Sequence, residues 1–190
     1  MCLPGIRPVI GAAFEATLAG AQAGSEEAFT CIFRDVQPAL LRYLRVISSE
    51  PEDVAGDTWL QVTGGLARFR GDEQRFRAWL FTIARHRAVD RGRSRARYPT
   101  VPLDPVMEIR LTSPDAADLA VEAIAARRAV ALVASLPGDQ AEVVMLRVVA
   151  GLDVSEVARI VGKSPGAVRV TVHRALRRLA ALAEREGVTR

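Results

Sequence analysis

The sequence predicts an all-α protein of two small helical domains joined by a flexible linker. Three observations support this fold class. Apolar residues recur at helical spacing over most of the 190 residues, and no convincing run of alternating residues indicates a strand. Four prolines interrupt the helical pattern within residues 98–115. Positive charge is concentrated in two blocks, one on each side of that interruption.

The first predicted helices follow residues suited to cap them. Ser25 precedes two acidic residues and a long apolar stripe, which is the pattern of a helix N-terminus. Pro38 lies inside this stripe and is expected to bend or divide the helix. Ser49 begins a capping-box pattern for the next helix, which the pair Gly64 and Gly65 weakens near its end.

A basic helix with an apolar spine is predicted after the loop at residues 68–71. Asp72 is placed to cap it, and Arg residues are spread around its outer faces. Phe81 lies off the apolar stripe, so we expect it to touch a binding partner. The predicted buried stripe consists of Phe76, Trp79, Leu80, Ile83 and Ala84.

Helical pattern resumes after the proline-rich stretch. One helix is expected to begin near Asp115 or Asp118 and to end at about Ser135. A second helix spans residues 139–149 and ends before Gly151.

Residues 151–174 carry the pattern of a helix-turn-helix. Asp153 caps the first helix, and Gly162 can adopt the left-handed conformation that ends it. Ser164 caps the second helix, with Pro165 at its first position. An ordinary helical hairpin with a solvated basic face is the alternative interpretation. The combination of cap, glycine and proline favours the DNA-binding motif.

The second helix of this motif would enter the major groove of duplex DNA by its N-terminal end. Arg side chains there can hydrogen-bond guanine, and the other polar and basic groups can contact phosphate. The candidate DNA contacts are Ser164, Gly166, Arg169, His173, Arg174 and Arg177.

The charge pattern also indicates a nucleic-acid partner. Residues 68–97 contain ten Arg against three acidic residues, and residues 159–190 contain eight basic against two acidic residues. Two separate cationic surfaces suit a long polyanion, because each neutralised phosphate releases condensed counterions.

Nothing in the sequence indicates an enzyme. It contains no phosphate-binding loop, nucleophilic triad or paired-carboxylate arrangement, so we expect no catalysis and no cofactor. Two histidines and the separated Cys2 and Cys31 make a metal site or disulfide framework implausible. With no apolar run long enough to cross a bilayer and no signal peptide, we expect a cytoplasmic protein without membrane insertion.

Taken together, these motifs resemble the sigma-70 family of bacterial RNA-polymerase specificity subunits, in particular its extracytoplasmic-function (ECF) group. Residues 52–60, 69–72 and 76–90 resemble region two of the family. Residues 136–147 and the helix-turn-helix resemble its region four. The resemblance implies four parts. These are an N-terminal extension 1–13, region two at 14–97, a Pro-rich acidic linker at 98–115, and region four at 116–190.

The resemblance also implies roles for individual residues. The docking surface for the clamp coiled coil of core RNA polymerase would comprise Asp57, Thr58, Leu60 and Gln61. Recognition and melting of the minus-ten element, including capture of a flipped base, would involve Phe69, Arg70, Arg77, Ile83, His86 and Arg87. Region four would bind the minus-thirty-five element as duplex, so promoter DNA would be contacted in both double- and single-stranded form.

The implied function is that of an alternative sigma factor, which directs core polymerase to a promoter and opens the DNA. The resemblance further implies an anti-sigma partner that covers both domains. A stand-alone helix-turn-helix regulator that binds duplex operator DNA is the alternative, and a pure protein-interaction module is a third possibility.

Overall fold

A computed structural model of the chain describes residues 11–97 and 128–185. Within these ranges the regular structure is helical, as predicted. The first half contains a 3-10 turn, Gly11–Ala13, and helices α1 Phe14–Gln22, α2 Glu26–Ile47, α3 Pro51–Leu66 and α4 Glu73–Arg97. The second half contains α5 (residues 128–134), α6 Gly138–Val144, a π-helical segment Met145–Val149, α7 Val154–Val161 and α8 Pro165–Arg185. The predicted linker at 98–115 and the start of the helix after it lie outside the described residues.

Two of the predicted caps in the first half are present. The Ser25 hydroxyl accepts a hydrogen bond from the backbone N–H of Ala28 at 3.2 Å. Asp72 Oδ1 accepts one from the backbone N–H of Arg75 at 2.8 Å, which fixes the start of α4. Each cap satisfies a backbone donor that has no partner within the helix.

One of the two outcomes expected at Pro38 is excluded, and the predicted start of α3 was wrong by one residue. Pro38 does not divide α2, which continues through it, because a helix of 22 residues with a buried stripe retains enough packing to tolerate one missing backbone donor. Ser49 does not occupy the N-cap of α3. Instead α3 begins one residue later, with Glu50 at the N-cap and Pro51 at its first position.

The end of α3 is helical through Gly64 and Gly65, which reach Leu66 without interruption. A Cβ atom added at Gly65 would lie 2.8 Å from Cζ2 of Trp79 on α4, so only glycine allows the two helices to approach this closely. Gly65 therefore serves the packing of α3 on α4, whereas a side chain at Gly64 would meet open space, and neither glycine ends the helix.

The two halves of the chain pack against each other. α2 contacts α6 and the π-helical segment, and α4 contacts α7. One hydrophobic cluster contains buried side chains from both halves, including Leu80, Met145, Leu146 and Leu152. This contact was not predicted from the sequence. Separately, no helix in residues 11–97 or 128–185 combines the length and apolar character needed to cross a membrane.

Candidate nucleic-acid interface

The helix-turn-helix is formed as the sequence predicts. Asp153 Oδ1 accepts a hydrogen bond from the backbone N–H of Glu156 at 2.8 Å and caps α7. Gly162 ends α7 in the left-handed conformation, at φ 67° and ψ 34°. The Ser164 hydroxyl accepts from the backbone N–H of Ala167 at 3.2 Å, with Pro165 at the first position of α8. The turn thus places α8 across α7 with its N-terminus open.

The cap of α7 is also electrostatically favourable. A hydrogen bond from the Ser155 hydroxyl lowers the pKa of Asp153, and the backbone N–H of Glu156 acts in the same direction. The Glu156 carboxylate accepts two hydrogen bonds from Arg159, at 2.6 and 3.1 Å, rather than returning to the N-cap as in a full capping box.

All six candidate contacts of the helix-turn-helix are exposed. They are Ser164, Gly166, Arg169, His173, Arg174 and Arg177. The opposite side of α8 is buried through Val168 and Ala175. Val170 is also exposed, within the arc that the candidate residues occupy, although it was not among the predicted contacts. The helical spacing of α8 would have shown its position.

The loop between α3 and α4 holds Phe69 in an aromatic cluster. Its ring stacks on Trp79, with centroids 5.1 Å apart and planes 23° apart, and meets Phe76 edge-on at 5.5 Å. Gln22 Nε2 donates to the backbone carbonyls of Leu66 (2.9 Å) and Phe69 (2.8 Å), which ties the loop to α1. Phe69 remains half-buried, so part of its ring faces solvent.

The remaining minus-ten candidates divide between surface and interior. Arg70, His86 and Arg87 are exposed. Ile83 is buried. Arg77 is also buried, and its guanidinium pairs with Asp35 and with Glu73 (Nε–Oε1 3.0 Å). Arg77 and Ile83 therefore face the core of the first half in this conformation.

An open cleft of about 410 Å³ lies beside the exposed part of α4. Across it, Arg87 Nε donates a hydrogen bond to Gln61 Oε1 of α3 at 3.1 Å. The cleft therefore joins a candidate polymerase contact to candidate DNA contacts. Its lining residues are Gln61, Arg85, His86, Arg87, Val89, Asp90 and Arg93.

The outer face of α3 presents an unusual apolar side chain. Leu60 is 75% exposed. Gly56 and Gly64 lie one turn before and after it, and a Cβ added at either would have open space within 4 Å. Thr58, in contrast, is buried, with its hydroxyl donating to the Val54 carbonyl at 2.6 Å. Of the four candidate polymerase contacts, Leu60, Gln61 and the partly exposed Asp57 reach the surface.

Arg91 joins α4 to the acidic edge of α3. Its guanidinium pairs with Glu50 (3.2 Å), Asp53 (3.1 Å) and Asp57 (3.0 Å). Although partial burial alone lowers the pKa of Arg91, its hydrogen bonds to Glu50 and Asp57 raise that pKa overall. Asp57 is thus held in place beside Leu60.

One carboxylate oxygen connects the two halves of the molecule. Glu142 Oε1 on α6 accepts hydrogen bonds from the Tyr43 hydroxyl (3.1 Å) and from Arg85 Nε (2.8 Å). Burial raises the pKa of Tyr43 well above its usual range, and the neighbouring Glu142 charge adds to this effect. Gln74 Nε2 also donates to the Gly151 carbonyl across the contact, at 3.2 Å.

Phe81 corrects one prediction from the sequence. It is fully buried and meets the Tyr43 ring edge-on, with centroids 5.3 Å apart, so it does not face outward. Among the described residues, no group of three or more His, Cys, Asp or Glu is arranged to hold a metal ion.

Comparison with protein families gives two matches, one in each half of the chain. Residues 32–98 match the family described as Sigma-70 region 2, and residues 126–179 match the one described as Sigma-70, region 4.

Individual proteins are similar over most of the chain. The ECF RNA polymerase sigma factor SigD of Mycobacterium tuberculosis is 34% identical, over 89% of this chain and 83% of its own length. The ECF RNA polymerase sigma factor ShbA of Streptomyces griseus is 37% identical, over 85% and 90%.

Two solved structures resemble the fold of this chain with a TM-score of 0.59 each. CnrH, in complex with the cytosolic domain of CnrY, is 24% identical and is similar in fold, over 90% of this chain and 97% of its own. The sigma factor RpoE of Bartonella quintana, in complex with the anti-sigma factor NepR, is 26% identical, over 85% and 98%.

Proposed function

Because the chain belongs to the ECF group of the sigma-70 family, we propose that it docks on core RNA polymerase through α3 and contacts two promoter elements through its two basic surfaces. It is an alternative sigma factor, which directs polymerase to promoters and opens the DNA. In this role it acts as an initiation factor without catalysis of its own. The relatives named above are sigma factors, so the alternative of a stand-alone regulator finds no support among them.

The proposed division of labour follows the two halves of the chain. Residues 14–97 bind core polymerase and the minus-ten element, and residues 116–190 bind the minus-thirty-five element, with residues 98–115 connecting them. The separation of the two cationic blocks supports this division, since each half then carries its own phosphate-binding surface.

In the second half, α8 contacts the minus-thirty-five duplex from the major groove. The exposure of all six candidate residues on and at the start of one helix supports this docking. Arg169 lies near the N-terminus of α8, where it can pair with a guanine edge, and the residues further along contact phosphate.

In the first half, the proposed minus-ten surface consists of exposed side chains around the α3–α4 loop. Arg70, His86 and Arg87 supply positive charge and hydrogen-bond donors. The accessible part of the Phe69–Trp79 stack offers a platform for an unpaired base. Stacking on an aromatic side chain stabilises a bound base by about 1–3 kcal/mol.

The observation that carries the proposal is the exposure of Leu60 beside this DNA surface. Leu60 is 75% exposed, and the glycines one turn before and after it have no side chains. Another helix can therefore pack closely against this apolar face. A regulator that binds DNA alone has no need of such a docking surface. A subunit carried to DNA by polymerase does need one.

We further propose an anti-sigma partner for this chain. The solved structure of RpoE in complex with NepR concerns a sigma factor of the same fold held by an anti-sigma factor. Both basic surfaces and the Leu60 face are open on the described surface, so a protein that covers them would prevent promoter binding and polymerase docking together.

The substitution Leu60→Glu tests the polymerase surface. The substitution would bury an unpaired charge at the centre of the interface. We expect it to weaken association with core polymerase by about 30-fold, the loss typical of an interface hot spot. Association is measured by biolayer interferometry with immobilised core polymerase, and activity by run-off transcription on a promoter library. Ala16→Glu, at an exposed position on α1, is the control and is expected to leave both unchanged.

Wild-type affinity in the Leu60→Glu variant would show that polymerase docks elsewhere. Failure of the wild-type chain to bind core polymerase, or to direct it to any start site, would overturn the proposed function itself.

A further inference from the structure

One side chain on the DNA-facing surface of α8 cannot form hydrogen bonds or neutralise phosphate. Val170 is 49% exposed, although valine is usually buried. At about 100° per residue, Val170 lies about 160° around α8 from Val168 and about 140° from Ala175, the two residues that define its buried stripe. It therefore lies on the outward face.

The neighbours of Val170 indicate that this face approaches a surface closely. Gly166 lies one turn before it, and an added Cβ there would come no nearer than 4.0 Å to Ser164 Oγ, so the site is open. Arg174 lies one turn after it and is exposed. A short apolar side chain between longer cationic ones makes contact only where the helix itself reaches the bottom of a groove.

Valine in a helix is also rigid, since its branched Cβ leaves one strongly preferred rotamer. Its two methyl groups are therefore presented in a fixed direction. The one apolar group on a base edge in the major groove is the C5-methyl of thymine.

We propose that Val170 is a specificity-determining residue that contacts the C5-methyl group of a thymine in the upstream promoter element. This inference rests on the proposed function of α8 as the reader of that element. Arg169 and His173 flank Val170 and supply polar contacts, while Val170 adds discrimination for thymine at one position.

Replacing thymine by uracil, which removes that methyl group and nothing else, tests the proposal. A promoter selected with the wild-type holoenzyme is resynthesised with deoxyuridine at one upstream thymine at a time. Binding of each duplex by holoenzyme is then measured. Wild type is expected to lose about fourfold at one position, the factor that corresponds to one buried methyl-sized group. Val170→Ala is expected to lose this preference and to bind the thymine duplex and the uracil duplex with about equal, weakened affinity.

Leu176→Ala is the matched control, because Leu176 is similarly exposed (47%) but lies about 120° away from Val170 around α8. It is expected to retain the full thymine preference. Wild type indifferent to uracil at every position, or Val170→Ala with an undiminished preference, would overturn the proposal. Either result would leave the proposed function standing, whereas a holoenzyme that selects no promoter would remove both.

Discussion

At the scale of single residues, we expect Tyr43 to make the contact between the halves sensitive to alkaline pH. Burial raises its pKa, and the charge of Glu142 acts in the same direction. Because the pKa is higher in the folded than in the unfolded chain, the stabilisation is complete below about pH 10, the ordinary tyrosine value, and is lost as pH rises above it. We expect the free energy of unfolding of wild type to fall more steeply above about pH 10 than that of Tyr43→Phe.

Denaturant unfolding at a series of pH values measures this difference, with tyrosinate absorbance as a second signal. Tyr43 and Tyr98 are the two tyrosines of the chain, so in Tyr43→Phe the tyrosinate absorbance comes from Tyr98 alone. Parallel pH profiles for the two proteins would contradict the prediction.

The fate of individual side chains was predictable where it depends on one helix alone. The exposed face of α8 and the positions of His86 and Arg87 follow from helical spacing. Arg77 and Phe81 could not be placed in this way, because what covers them is distant in sequence. Arg77 is buried against Asp35, 42 residues away, and Phe81 against Tyr43. Helical spacing gives the direction of a side chain but not the neighbour that it meets.

At the scale of elements, the approach of α3 to α4 depends on the lack of a side chain at Gly65. Alanine there would force its Cβ to within 2.8 Å of the Trp79 ring, so we expect Gly65→Ala to destabilise the protein by about 1–3 kcal/mol. Gly64→Ala, one residue earlier, adds the same methyl group in open space and is expected to stabilise by up to about 1 kcal/mol.

Chemical denaturation of the two variants separates a packing effect from a helix-propensity effect. Equal shifts in the same direction would show that the contact with Trp79 is not the reason for glycine at position 65.

Helix ends were predictable where a side chain reaches a backbone group within a few residues, as at Ser25, Asp72, Asp153 and Ser164. The prediction of Ser49 as an N-cap was wrong because α3 begins one residue later, with Pro51 at its first position. The π-helical segment at Met145–Val149 has no short-range signal in the sequence. It lies where α6 packs on α2, and this packing between distant parts of the chain cannot be predicted from local sequence.

At the scale of the whole molecule, the packed arrangement must open for the chain to act. The names of the two promoter elements place them about 25 base pairs apart, or about 85 Å of B-DNA at about 3.4 Å per base pair. A compact chain of this size has a radius of gyration of only about 16 Å. The Glu142 contact is therefore expected to break when both elements are bound.

Glu142→Ala is expected to favour the open form. It leaves the Tyr43 hydroxyl and the Arg85 guanidinium without their shared acceptor, a loss of about 2 kcal/mol, or about 30-fold in the ratio of open to closed chain. Small-angle X-ray scattering measures the expected increase in radius of gyration. Glu184→Ala, at an exposed position near the end of α8, is the control. An unchanged scattering profile in Glu142→Ala would show that apolar packing alone holds the halves together.

The hydrophobic cluster shared by the two halves also affects how the second half withstands heat. The second half, residues 116–190, is small, and a single hydrophobic core of that size rarely stabilises a domain by more than about 3–5 kcal/mol. Leu146 and Leu152 are fully buried in a cluster completed by helices of the first half. Once separated from those helices, the helix-turn-helix is expected to melt at a lower temperature and to be stabilised by bound DNA.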